Sequence, residues 1–539
     1  MKKLMFLLFL LLPMLSEASP LTQSMVVSAH PLATKVGTHV LRQGGNAFDA
    51  AAATALALGV VEPGSSGIGG GGFFLLYIAK QDRYVMLDAR ETSPVLAGHG
   101  EVYAKQSSIN GAQSAGVPGL LAGIERLSQH YGRLSRQKIA LPAIHLARDG
   151  FPITKKLQRM IAWRAKVLND TGKRIYLNQG AIPAVGWILK QQALADTLKK
   201  FSHDGARDFY HGETAGRLVA DMKRDGGLIR RQDLASYQVK ERVPVSFDYH
   251  AYHFVSAALP SSGGITLAEI FTMLKDDDLS KLNKVQRTHL LVEVMKRAYN
   301  DRNTYLGDAD FVPIPNLLNP QRLKALRASI DMTQATPSSE LKGFAEPIGA
   351  SVDTTHFSIV DREGNMVSAT LSINYGMGSG YVSPSTGILL NDEMDDFATQ
   401  AGQANAYGLI QGKANAVSPY KRMLSSMSPT FVVGKNRTLI VGTPGGSRII
   451  SMVMLASMNF IWNRSSPSQW VNAPRFHHQF LPDVIQYEQG AFSSSEIEAL
   501  KKLGHHLKPM RHYGDMQAIL WQKTTGKLTG MSDQRGEGK

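Results

Sequence analysis

Hydrophobic and polar positions change period several times along the chain, and each change marks an element. From Met25 to Tyr77 the pattern reads strand, helix, a break at Gly44-Gly45-Asn46, a second helix, a glycine loop and a strand. The second helix centres on Ala50–Ala57, a run of high helix propensity with an acidic start at Asp49, and Pro63-Gly64 ends it. Phe73–Ile78 is an uninterrupted apolar run, the pattern of a buried strand; Tyr84–Leu87 is the next strand and delivers Asp88, Ala89, Arg90 and Glu91 to its end. Residues 114–345 read as mostly helical, with amphipathic stretches at Ala193–Phe201 and Gln286–Asn300, a mixed segment at Asp204–Phe247 and a sharp strand-to-helix turn at Pro260–Gly264. Further on, the strands Thr355–Asp361 and Met366–Ile373 flank Arg362–Asn365, a turn of φ-permissive residues. A short apolar strand precedes Glu393, Asp395 and Asp396, and Thr438–Gly442 is a final β-run before Thr443–Ser447.

Residues 1–18 stand apart. Lys2 and Lys3, an apolar run from Leu4 to Leu15 and the small-x-small site Ser16-Glu17-Ala18 read as a secretory signal peptide. The mature protein is expected to be periplasmic or secreted, without a membrane anchor. Its most apolar later stretches, Ala50–Val61 and Ser451–Trp462, fall short of the roughly 18 residues that cross a bilayer. Cysteine is absent, which excludes disulfides, thiol chemistry and thiolate metal sites. The formal charge is +15, but the lysines and arginines are spread along the chain as a solvated surface rather than clustered among aromatics. Nucleic acid is therefore not an expected partner, whereas a small anionic substrate would still be steered towards a cleft. Asp276–Asp278 lack calcium-loop spacing, and His477 and His478, adjacent on an extended chain, point opposite ways, so no metal site is expected. No Pro/Ser linker, low-complexity tract or internal repeat divides the chain, which predicts one large compact body.

The candidate chemistry sits in Asp353-Thr354-Thr355-His356-Phe357-Ser358. A threonine hydroxyl needs a base within reach, and none of the usual arrangements surrounds Thr354. Its own amine, freed by cutting the Asp353–Thr354 bond, would titrate at about 7.7–8.0 and is matched to take the hydroxyl proton. Read alone, Thr354 and Thr355 are equally β-formers that open a strand. Arg90 offers either a bidentate carboxylate clamp or an Arg–Glu surface pair. Glu393, Asp395 and Asp396 suit an ammonium group or form a solvated acidic turn, and Ser425 and Ser426 can bond a carboxylate or simply shape a bend. Gln400–Tyr420, polar and rich in Gly, Ala and Asn, is a candidate lid with Tyr407 as its gating side chain. Pro444 and Gly445 fit positions i+1 and i+2 of a type II turn, and the glycine pair leaves N–H groups open to an incoming oxyanion or makes a plain tight turn. Gly67–Gly72 formally contains G-x-G-x-x-G, but a helix precedes it and a strand follows, the reverse of a dinucleotide fingerprint; these glycines read as tight turning and close packing.

Taken in order, Asp353–Phe357, Gly387–Phe397, Lys421–Thr430 and Thr443–Ile450 resemble the γ-glutamyltranspeptidase (glutathione hydrolase) family of N-terminal-nucleophile hydrolases. Gly44–Ala52 with the glycine loop, Leu87–Arg90, Pro260–Gly264, Ala298–Arg302 and Ala473–His478 extend the likeness over nearly the whole mature chain. The resemblance implies an α+β fold, a four-layer αββα sandwich, made as a proenzyme that cuts itself before Thr354 into a large chain, 19–353, and a small chain, 354–539. By position, Thr354 would be the nucleophile of both reactions, with Ser372 beside it where the family has a second threonine. Gly445 and Gly446 would supply the oxyanion N–H groups. Arg90, Ser425 and Ser426 would hold a substrate α-carboxylate, while Asn374, Glu393 and Asp396 would surround its α-ammonium; position 393 is glutamine in some bacterial relatives. The implied substrates are glutathione and other γ-glutamyl compounds, with water, amino acids or dipeptides as acceptors and no metal or organic cofactor. Two alternatives remain open: a related acylase acting on glutaryl or cephalosporin side chains, or on capsule material, and a catalytically silent exported binding protein.

Overall fold

Two six-stranded antiparallel sheets lie face to face. The computed structural model describes residues 21–341, 354–398, 412–462 and 466–538; residues 1–18, the Asp353 side of the candidate cleavage point and Tyr407 lie outside these. One sheet runs Met25–Ser28, Thr354–Val360, Met366–Ser372, Gly71–Ile78, Arg83–Asp88 and Lys240–Arg242. The other runs Lys527–Ser532, Gln517–Gln522, Arg437–Gly442, Thr430–Val433, Tyr252–Ser256 and Val245–Tyr249. Strands from before and after residue 354 are mixed within both sheets. Helices Pro31–Arg42, Ala47–Val61 and Leu120–Tyr131 cover the outside of the first sheet; Gly263–Met273 and Arg448–Trp462 cover the second. The result is the expected α+β, four-layer αββα sandwich.

Alternation along the strands sorts side chains between two environments. On Thr354–Val360 and Met366–Ser372, Phe357, Ile359, Val367, Ala369 and Leu371 point outward into the apolar layer shared with helix Ala47–Val61. That helix is buried on every side, so its continuous Ala/Leu/Val run is a core element rather than an amphipathic one. Asn46 and Asp49 form its capping box, and Asp49 also accepts the amides of Arg133 and Leu134. Inward, Val360 and Met366 join the apolar layer between the sheets, and the rest are polar and satisfied there: Ser358 Oγ donates to Gln517 O at 3.1 Å and Ser368 Oγ to Val441 O at 3.2 Å. His356 Nδ1 lies 2.9 Å from Thr370 Oγ1, and burial lowers its pKa to about 3, so it is a neutral structural group and no base for its neighbour Thr354.

Two local expectations need correction. Helix Lys284–Tyr305 is not amphipathic: Thr288–Tyr299 is buried throughout, and Glu293 within it is paired with Arg297 at 2.6 Å and with Lys296 at 3.1 Å. The basic residues are also not all surface groups. Arg90, Arg164, Arg297, Arg302, Arg422, Arg448 and Arg475 are buried, as are Lys296 and Lys421; the planar guanidinium fork suits such sites because it bonds several acceptors at once.

Candidate active site

Thr354 opens its strand at a place where only one neighbour remains. The outer strand Met25–Ser28 pairs no further than Phe357, so Thr354 is flanked by Ser372 alone, directly opposite in the ladder. The hydroxyls of Thr354 and Ser372 are 3.3 Å apart, and Ser372 Oγ accepts the amide of Asn374 at 2.8 Å. The glycine loop is packed against this pair: a Cβ at Gly70 would stand 2.2 Å from Ser372 O, and one at Gly69 2.1 Å from Leu389 O. Those glycines are close-approach residues, as their setting in the sequence implied.

Beneath the nucleophile is a charged network that the sequence did not reveal. Thr355, facing the opposite way from Thr354, donates its hydroxyl to Glu62 at 2.8 Å; Lys156 reaches Glu62 at 2.8 Å and Asp515 at 3.1 Å. Burial works against the charge on Glu62, but Lys156 outweighs it and holds the pKa below the ordinary value; burial lifts Asp515 to about 6 with Lys156 opposing. One sequence signal was present. An acid just past the end of helix Ala47–Val61 faces the negative end of the helix dipole, which is unfavourable unless a cation compensates.

Arg90, Asn374, Asp396, Ser425 and Ser426 do converge with Thr354, Ser372 and Gly446 around one small cavity. Arg90 is fully buried; its guanidinium meets Glu393 at 2.6 Å and Asp396 at 2.5 Å, with Glu91 at 3.6 Å and Met423 O accepting from Nε at 3.3 Å. Burial opposes its charge, yet Glu393, Asp396 and Glu91 together raise its pKa. One cation among three carboxylates cannot hold all of them ionised, so burial and mutual repulsion push Glu393 well above the carboxylate range and Glu91 to about 7. The acids lie on a 3₁₀ turn, Glu393–Asp396, and are not the solvated alternative; Asp395 turns away to accept from Ser108 at 2.7 Å. Asn374, at φ 71°, donates from Nδ2 to Asp392 O at 3.0 Å. The free volume here is about 30 Å³, because Arg90 is closed onto its own carboxylates.

Arg302 also lines this cavity, and sequence reasoning overlooked it because it sits on a helix buried all round. It donates to Ser262 at 3.0 Å, to Asn303 at 3.1 Å and to Ser426 at 2.9 Å, and has no carboxylate partner among the described residues. Burial lowers its pKa to about 10, which leaves it cationic at neutral pH.

Gly445 and Gly446 carry φ values of 148° and 54°. The type II turn expected at Pro444-Gly445 does not form; a turn of different geometry sits one residue onward, closed by Arg448 N donating to Gly445 O at 3.2 Å, with Gly446, at positive φ, and Ser447 at its centre. This shift leaves the amides of Gly445 and Gly446 without acceptors among the described residues, beside Thr354. His477 and His478 are structural, bonded to Ser451 and Gln479 on one side and to Asp483 and Phe480 on the other. The cluster His289, Glu293 and His505 has metal-like proximity, but Glu293 is already neutralised and both His289 nitrogens are bonded, to His505 and to Asp331 O. Of the candidate lid, only residues 412–420 are described, with a 3₁₀ turn at Lys413–Asn415.

A threonine heading an inner strand of an αββα sandwich, with a hydroxyl partner and paired free amides beside it, defines an N-terminal-nucleophile hydrolase. The family model for gamma-glutamyltranspeptidase matches residues 33–539, and the chain belongs to that family. The glutathione hydrolase proenzyme of Pseudomonas sp. (strain A14) is 42% identical over 92% of this chain and 88% of its own length. Among solved structures, the γ-glutamyltranspeptidase of Helicobacter pylori matches with 38% identity and a TM-score of 0.57 over 59% of this chain and 94% of its own. A cephalosporin acylase from Bacillus halodurans matches with 27% identity and a TM-score of 0.85 over 97% of this chain and 96% of its own.

Proposed function

We propose that this protein is a γ-glutamyl acyltransferase and hydrolase that acts on glutathione and related γ-glutamyl compounds, matured by cleavage between Asp353 and Thr354 and exported by residues 1–18. The observation that carries this reading is the pairing, in the cavity beside Thr354, of two buried cations, Arg90 and Arg302, with the Asp396 carboxylate, and with Glu393 behind Arg90. A free α-amino acid head group needs both. Its carboxylate would replace the protein's own acids on Arg90 and bond the Ser425 and Ser426 hydroxyls, and its ammonium would take over Asp396, Glu393 and the Asn374 side chain.

Maturation uses the same hydroxyl as catalysis. Thr354 Oγ attacks the carbonyl carbon of residue 353, and the peptide C–N bond breaks with the hydroxyl proton passing to the freed Thr354 amine, leaving an ester on Oγ; water then hydrolyses that ester, releasing the residue-353 carboxylate and restoring the Thr354 hydroxyl. In turnover that amine takes the hydroxyl proton as Oγ attacks the γ-glutamyl carbonyl, and Gly445 and Gly446 N–H groups bond the oxyanion. The C–N bond breaks, the proton passes to the departing amine, and a γ-glutamyl ester remains on Thr354. Water releases glutamate, or an amino acid or dipeptide amine captures the acyl group as a new γ-glutamyl peptide. The whole-chain likeness to a cephalosporin acylase favours a second reading, an acylase for uncharged or singly charged side chains, against which the doubly charged head-group cavity weighs.

Intact mass under denaturing conditions tests the proposal. Two chains, one beginning at Thr354, are expected, together with glutamate release from glutathione; Thr354→Ala should give one uncut, inactive chain. Two chains in that variant would end the self-cleavage reading.

A further inference from the structure

Thr354 borders two cavities, and only one of them has been used so far. The head-group cavity adjoins Gly446 and Ser447; on the Pro444 and Gly445 side Thr354 opens into a groove of about 1300 Å³. The two substituents of an amide lie on opposite sides of its carbonyl carbon. With the acyl chain in the small cavity, the departing amine is directed into the groove, and an incoming acceptor must use the same space.

The lining of the groove is strongly one-sided in charge. Lys156, Arg159, Arg448, Arg511 and Arg535 face it, against one acid, Asp515. Lys156 is taken by Glu62 and Asp515, and Arg535 by Glu488 and Asp533. The other three form no ion pair among the described residues: Arg448 donates from Nε to Gln486 at 2.9 Å, Arg159 to Lys155 O at 3.3 Å, and Arg511 is exposed. Arg448 is buried, with its guanidinium 5.3 Å from the centre of the Tyr513 ring and no carboxylate beside it among the described residues, an arrangement that an incoming anion would improve.

We infer that this groove is the site for the amine half of the reaction and that it selects leaving groups and acceptors bearing carboxylates, such as the C-terminus of a peptide, over neutral amines. This rests on the γ-glutamyl reading given above. The groove contributes the attraction of three unpaired guanidinium groups, which favours capture and raises kcat/KM for anionic partners at low salt.

The test compares γ-glutamylglycine with its C-terminal amide, γ-glutamylglycinamide, on the matured two-chain enzyme. The wild type should prefer the acid, and the preference should shrink as salt rises. In an Arg159→Gln/Arg511→Gln double variant the acid-to-amide ratio of kcat/KM should fall by about twofold to fivefold per guanidinium removed, the range of a solvent-exposed charge pair. Both side chains are exposed, so the fold is not under test. A wild-type ratio of one or less, or an equal ratio in the double variant, overturns the groove assignment while leaving γ-glutamyl chemistry intact. Turnover of neither peptide overturns the γ-glutamyl reading and the groove with it.

Discussion

Replacing Asp396 with asparagine isolates the part of the site that distinguishes a γ-glutamyl group from its uncharged analogues. Asp396 is the carboxylate of the Arg90 cluster with some exposure, its side chain 13% accessible against 0% for Glu393. It is therefore the acid best placed to meet a substrate ammonium. Asparagine keeps the shape and can still accept from Arg90, and removing the Asp396 charge lessens the repulsion that raises Glu91 and Glu393. What disappears is a charge-assisted contact worth about 1.5–3 kcal/mol, which corresponds to about 10- to 150-fold in kcat/KM. The assay is a cycle between enzyme and substrate: γ-glutamyl anilide and glutaryl anilide differ only in the α-amine, and each is measured with wild type and variant. The γ-glutamyl anilide should lose the full factor and the glutaryl anilide little or nothing, so their ratio collapses. An unchanged ratio, with both substrates slowed alike, would mean that Asp396 only supports the pocket and would refute the head-group assignment.

Two further outcomes follow from the same cluster. With the Glu91 carboxyl at about 7, below that pH it is neutral and the pocket holds an extra proton; above it the pocket is more negative and attracts an ammonium better. KM for a γ-glutamyl donor should therefore fall as pH rises through about 7, and Glu91→Gln should remove that inflection while leaving the amine titration of Thr354 in kcat; an inflection that persists in the variant would exclude Glu91. Arg302→Lys should raise KM with kcat largely held, because an ammonium cannot span Ser262, Asn303 and Ser426 as the guanidinium does; wild-type KM in the lysine variant would show that Arg302 serves packing alone.

How much of the site was legible in the sequence depended on distance along the chain. The hairpin after Thr354 was legible as two strands and a turn, but its register was not: a turn over Arg362–Asn365 would set Ile373 opposite Thr354, whereas Asp361 pairs with Asn365 and sets Ser372 there, the position the family resemblance implied. The acidic helix start at Asp49 and the close packing of the glycine loop were legible because they are local. Contacts set by the stacking of layers were not legible. Lys156 and Asp515 meet across 359 residues, and no periodicity relates them. Arg302 was hidden because a helix buried on all sides gives no polar face to mark the functional one. Arg90 was placed correctly at its strand end, but its closure onto Glu393 and Asp396 depends on how the 3₁₀ turn packs against that end. The type II turn at Pro444 did not form because Gly446 also takes positive φ, and the turn that replaces it, with Gly446 as its first central residue, leads directly into helix Arg448–Trp462.

The mixing of strands within both sheets has a consequence for the lifetime of the mature protein. With the chain cut before Thr354, the hairpin Thr354–Ser372 lies between Met25–Ser28 and Gly71–Ile78, so neither product contains a complete sheet. The precursor folds in a unimolecular reaction, but the two-chain product, once unfolded, must find its partner by diffusion. Its recovery then depends on concentration, and in dilute solution unfolding becomes a one-way event. Persistence of the enzyme is governed by how slowly the interleaved layers come apart, a rate set during maturation and beyond repair afterwards.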